Sequence, residues 1–256
     1  MNYHMAYEDY GFVMAPLYYE FVKWAQTVKE PNNPVYAAMR DGGPILTAAH
    51  EMAKLGITDT ADWAELWVNT TVAANLDEDI IKEYLVQQGI EKEKPFTLVD
   101  SGFKGTIPRT FSHIHGYNVQ SLLINGYLDK GYNFEQKVFT DRANHHISIK
   151  ALEDGIPHRF TTFNSDFVKN NNIVKPKLYH SGYYEQHDYF NGGLKDGIAM
   201  CAQAETKKRR FFDFLELFRT KTKRFDKYLA LLLNKERTCI FELPPDSRKK
   251  VERIYS

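Results

Sequence analysis

The chain has 256 residues, 43% of them hydrophobic and 14% aromatic, which is enough for one substantial core or a core plus a smaller lobe. Lys+Arg and Asp+Glu both number 33, so formal net charge is zero and no global field draws the protein to nucleic acid or to an anionic membrane. A mean hydropathy of -0.49 and the lack of any apolar run near ~18 residues argue against a membrane span. The opening "MNYHMAYEDYGF" has no basic segment leading into an apolar stretch, so no secretory signal and a cytoplasmic location are expected. Cys201 and Cys239 lack the spacing of a disulfide framework or a zinc site and read as reduced thiols.

Residues 12–29 place Leu17, Phe21, Trp24 and Val28 at helical spacing, and "EPNNP" ends that helix. "VYAAM" (Val35–Met39) reads as a buried strand. It runs through "RDGGP" into the helix "ILTAAHEMAKLG", closed by Gly56. Residues 58–92 read as interrupted helix, with Thr58 or Thr60 as an N-cap and a stop at Gly89. "FTLV" forms the second strand, and the loop "DSGFKGT" follows it. A further helix is expected after Pro108, then a strand around 118–127. The stretch 131–200 reads as loop-rich and aromatic, and residues 205–236 as a long amphipathic helix or helix pair. The expected fold is α/β: a mostly parallel sheet of four to six strands flanked by helices. Residues 1–130 would form a phosphate-binding core, with a loop-rich and helical part, 131–256, packed on it as one unit.

Ligands of open α/β sheets collect at the carboxyl ends of strands. Two glycine-bearing loops are expected there: Arg40, Asp41, Gly42 and Gly43 after the first strand, and Asp100 through Thr106 after the second. Glycine lets backbone approach a ligand, and successive amides at a helix start cradle an anion. Ser101 and Thr106 add hydroxyls, while Arg40 and Lys104 add positive charge. Asp100 would repel a bare phosphate, but suits sugar hydroxyls or Mg2+. A sugar carrying phosphates at two ends satisfies all of these groups. An ordinary Asp-Ser-Gly turn is the plain alternative.

These residues resemble the phosphoribosyltransferases. "PVYAAMRDGGPILTAAHEMAKLG" is similar to their first strand, pyrophosphate loop and helix, and "FTLVDSGFKGTI" to their loop for phosphoribosyl pyrophosphate. The resemblance implies a ribose role for Asp100, directly or through Mg2+. It implies a phosphate role for Ser101, Gly102, Lys104, Gly105 and Thr106, and a pyrophosphate loop of Arg40, Asp41 and Gly42. Val99 stands where the family's first acid would be. A second resemblance, in order over residues 7–110, is to the C-terminal region of bacterial relatives of the HAD superfamily found beside surface-polysaccharide genes. No DxDxT nucleophile motif is present, so HAD phosphatase chemistry is not expected.

"YYEQHDYFNGG" gathers Glu185, His187 and Asp188 and can close over the site to supply an acid or base; the alternative is a polar surface loop. His113, His115, His145 and His146 lack metal-site spacing and read as structural or surface residues. "KKRRFF", with the basic residues to 227, fits either a nucleic-acid patch or the solvated face of a helix; the second is favoured. The expectation is therefore a phosphoribosyltransferase-like enzyme that uses Mg2+ and acts on a phosphorylated sugar or nucleotide at its anomeric carbon. The alternatives are a non-catalytic phosphosugar- or nucleotide-binding module, and a nucleic-acid-associated protein using the basic 207–227 helix.

Overall fold

The computed structural model describes residues 3–39, 41–103, 105–126, 136–141, 161–180 and 184–206. Helix α1 (Tyr3–Val28) leads into β1 (Val35–Ala38), α2 (Gly43–Lys54) and a short strand, β2 (Ala64–Leu66). Two helices follow, α3 (Thr70–Ala74) and α4 (Asp79–Gln87), then β3 (Phe96–Phe103) and α5 (Thr106–Arg109). A π-helical turn (Thr110–Ile114), β4 (Val119–Gly126) and β5 (Gln136–Asp141) complete the sheet. A hairpin, β6 (Thr161–Asn170) and β7 (Ile173–His180), precedes the last described helix, α6 (Tyr184–Thr206).

The main sheet has five strands in the order β2-β1-β3-β4-β5, every pair parallel. The fold is α/β, as the sequence implies. Parallel strands covered on both faces read as continuous apolar runs, and β1 is buried at all four positions. Alternation sends Val35, Ala37, Val99, Leu122 and Ile124 into one core, beneath α1, α2 and α6. Tyr36, Ala38, Leu98 and Val119 enter the other, beneath α3, α4, the π-turn and the hairpin. The sheet runs past residue 130, since β5 pairs with β4 from Ser121↔Gln136 onward.

Four sequence expectations are corrected. Residues 64–66 are an edge strand, not helix, paired to β1 through Tyr36↔Ala64 and Ala38↔Leu66. Thr60 caps no helix, because its hydroxyl donates to the Ala49 carbonyl at 2.6 Å and meets Thr58 Oγ1 at 2.9 Å. The segment Asp100–Phe103 is strand rather than loop, because β4 continues beside it through Gly102↔Asn125 and Phe103↔Gly126. The stretch 184–197 is helix, not loop. Its glycines serve packing: a Cβ on Gly193 would run into the Glu8 carbonyl of α1, and one on Gly11 into the Phe190 carbonyl of α6. Pro16, inside α1, cannot donate to the Phe12 carbonyl, and Gly197 sits against that carbonyl. The basic segment 207–227, the tail beyond it, Cys239, His145 and His146 lie outside the described residues.

Candidate functional site

The site is built on two neighbouring strands. β1 and β3 are adjacent and parallel, with Val35↔Thr97, Tyr36↔Leu98 and Ala37↔Val99 in register. Both therefore deliver their following residues to the same edge of the sheet. The chain order also reverses here, with β2 on one side of β1 and β3 onward on the other. Helices diverge at such a point and leave a crevice.

After β1 the chain turns tightly. The Gly42 amide donates to the Ala38 carbonyl at 2.8 Å. A Cβ on Gly42 would lie 2.6 Å from that carbonyl, so only glycine fits without a shift. Gly42 then serves as the N-cap of α2 with no side-chain cap, and Gly43 and Pro44 open the helix. The positive end of the α2 dipole thus faces the crevice without a capping side chain from the N-cap residue. Asp41 precedes Gly42, and Arg40 lies outside the described residues.

On β3, the Asp100 carboxylate accepts the Ser101 amide at 2.8 Å. That bond engages one of the amides assigned to phosphate, and Gly102 is paired in the β3–β4 ladder. Alternation directs Asp100 to the face of Leu98 and Ser101 to the face of Val99. Gly105 adopts a left-handed conformation (φ 60°, ψ 32°) that a side chain would strain, and the Gln136 side chain of β5 occupies the space a Cβ would take. Thr106 opens α5, and its carbonyl accepts the Thr110 hydroxyl at 2.9 Å. Lys104 lies outside the described residues.

Asp41, Gly42, Gly43, Asp100, Ser101, Gly102, Gly105 and Thr106 therefore lie at one edge of the sheet. Glu185 and His187 belong to the first turn of α6. Thr47, one turn into α2, donates to Asn191 Oδ1 at 3.3 Å. Residues one to two turns earlier in α6 thus extend toward the level of the α2 N-terminus. The side chains of Glu185 and His187 lie outside the described residues.

Tyr18 was not singled out by sequence reasoning. It sits on the inner stripe of α1 and is fully buried. Burial first, and then the Asp41 carboxylate, push its phenol well above the ordinary tyrosine range, so it stays a neutral O–H. In the sequence it reads as one more apolar position of an amphipathic helix, and its proximity to Asp41 is purely tertiary.

His113 lies in the π-turn and His115 caps its end. His113 is exposed, whereas His115 is buried with Nδ1 3.4 Å from Asp77 Oδ2. Among the described residues no group of three or more His, Cys, Asp or Glu is arranged to hold a metal ion. Asp100 would offer Mg2+ a single carboxylate, which fits a site completed by ligand phosphates and water. A cleft of about 760 Å³ lies elsewhere, between α4, β2 and the hairpin, lined by residues including Glu65, Trp67, Tyr84 and Lys175. Among the described residues no helix is long and apolar enough to cross a membrane.

In comparison with known proteins, the chain matches no protein-family model and no curated protein sequence.

Proposed function

We propose that the protein binds a phosphorylated sugar or nucleotide in the crevice between the β1 and β3 loops and acts as a phosphoribosyltransferase-like enzyme. The observation that carries this reading is the parallel pairing of β1 with β3, which brings two glycine-bearing loops to one edge where the chain order reverses. The uncapped N-terminus of α2 offers amides to one phosphate, and Gly105–Thr106 to another. Asp100 holds ribose hydroxyls and is the residue that would hold Mg2+, which when bound offsets phosphate charge.

The reaction would break the bond between the anomeric carbon and pyrophosphate and form one from that carbon to an acceptor. Arg40 neutralises the departing pyrophosphate, and Glu185 or His187 takes the acceptor's proton. Positioning and charge stabilisation supply the rate, without a covalent nucleophile.

A second reading, a binding module without turnover, is favoured by Val99. It stands at the position of the family's first acid and is fully buried in the apolar core, where a carboxylate would be costly.

The test is a thermal-shift screen with phosphoribosyl pyrophosphate, nucleotides and sugar phosphates, with and without Mg2+. A ligand at 100 times its dissociation constant adds roughly 2.7 kcal/mol. Binding is expected in the wild type and lost in Asp100→Asn and Gly105→Val. Pyrophosphate release on adding an acceptor separates the enzyme from the module. No shift with any of these compounds rejects both.

A further inference from the structure

The cleft between α4, β2 and the hairpin is bordered by the free edges of two strands. β2 is an outer strand of the five-stranded sheet, and β7 pairs only with β6. The cleft holds about 760 Å³, within the range of ligand sites. Glu65 and Trp67 line it at and just beyond β2, and Val174 and Pro176 line it from β7.

The strand ladders fix which backbone groups face this space. The Met39 amide donates to the Leu66 carbonyl, so Ala64 and Leu66 turn their peptide groups toward β1. Glu65, between them, turns its N–H and C=O outward. Trp67 shows the same outward direction: its amide donates to Tyr84 Oη at 2.9 Å, and Tyr84 also lines the cleft. On β7 the outward amide of Val174 donates to Gln87 Oε1 at 2.9 Å, and Pro176, two residues on, has no N–H. Proteins cover or blunt strand edges in such ways. The backbone N–H and C=O of Glu65 are left without a partner among the described residues.

We propose that this cleft binds an extended peptide, which adds to the sheet as a strand on the outer side of β2. Glu65 supplies two ladder hydrogen bonds through its own N–H and C=O. Side chains select the peptide by charge. Glu65 and Lys175 are exposed, belong to the two strands that border the cleft, and form no ion pair among the described residues. The peptide that fits carries a basic residue for Glu65, an acidic residue for Lys175 and an apolar residue against Trp67 and Leu178. This site does not depend on the phosphosugar reading of the crevice.

The experiment pans a random heptapeptide display library on the full chain, then measures the enriched sequences as synthetic peptides by calorimetry. They are expected to combine a basic, an acidic and an apolar residue. Glu65→Pro removes the outward N–H and leaves the ladder to β1, so it should weaken them roughly tenfold, the worth of one hydrogen bond. Glu65→Ala keeps the backbone pairing and should lose only the preference for a basic residue. In the wild type, added peptide should slow hydrogen exchange at the Glu65 amide, a readout that stands even if Glu65→Pro fails to fold. Binding indifferent to Glu65→Pro, or an unslowed Glu65 amide, overturns the inference. A library that enriches nothing also overturns it. If the wild type is then a dimer that Glu65→Pro makes monomeric, the edge belongs to a second copy of the chain, and the peptide reading falls.

Discussion

The helix pair α1–α6 and the hairpin β6–β7 each cover one face of the same sheet, and they are attached in opposite ways. The helix pair closes by backbone contact: Gly11, Gly193 and Gly197 let α1 and α6 approach until a single methyl group would collide. The hairpin is fastened by side chains. Gln87 donates to the Asn172 carbonyl and accepts the Val174 amide, both at 2.9 Å. Asn69 caps α3 through the Val72 amide and meets the Ser165 hydroxyl at 2.9 Å. Phe163 packs on Trp67 and Phe167 on Tyr84 with ring centroids 5.8 and 4.7 Å apart. The buried phenols follow the same division. Tyr84 accepts the Trp67 amide at 2.9 Å, whereas Tyr18 has no such partner among the described residues. A face closed by backbone contact leaves no room for adjustment. A face closed by side-chain hydrogen bonds can lose one and remain in place.

The largest expected effect tests the backbone seam. Gly193→Ala is expected to cost about 3 kcal/mol in urea unfolding, because the new methyl group meets fixed backbone. Gly192, one residue earlier, has nothing within 4 Å of a built Cβ. Gly192→Ala should therefore stabilise by about 0.5–1 kcal/mol through helix propensity alone. Equal effects at the two positions would break the contrast.

Alkaline pH probes both faces together. Tyr84 is held above the ordinary tyrosine range by burial and then by Glu65, although the Trp67 amide pulls the other way; Tyr18 is held up by burial and Asp41. Above pH ~10 the unfolded chain releases these protons while the folded chain keeps them. Stability is thus full below that pH and falls as pH rises, by about 1.4 kcal/mol per pH unit for each tyrosine. Urea midpoints in Tyr18→Phe should lose the Tyr18 share of this slope and keep the rest. A full slope in that variant would place the titration elsewhere.

A smaller effect than the seam collision sharpens the hairpin side. Gln87→Ala removes two hydrogen bonds to the β6–β7 turn and is expected to cost about 1–2 kcal/mol. Hydrogen exchange at the Val174 amide should speed up, while exchange in β1 and β3 stays as in the wild type. Uniform acceleration across the sheet would show that the hairpin and the core open as one unit.

Part of this architecture is legible in the sequence. Val35–Ala38, Phe96–Val99 and the strand from Val119 are compact apolar runs, and Gly56 and Gly89 mark helix ends with φ of 69° and 79°. Leu17, Phe21 and Trp24 announce α1 by their spacing. The candidate site was half legible. Asp41 and Asp100 stand out as acids beside glycines, but Tyr18 looks like any core tyrosine, and Ser101 gives no sign that its hydroxyl is buried. β2 was missed because three residues carry too little pattern to outweigh the helical sequence around them. The helix at Tyr184–Thr206 was missed because Gly192 and Gly193 read as a loop when their packing partner is out of view.

Periodicity, glycine stops and charge balance, each expressed within about ten residues, were sufficient to determine an α/β chain with glycine turns after two of its strands. Only the tertiary structure decided that those strands are neighbours, that Ala64–Leu66 adds an edge, and that α6 lies against α1. Each of these depends on contacts between residues tens to nearly two hundred positions apart, such as Gly193 against Glu8. Local preference carries no record of such contacts, and burial against a distant partner overrides it.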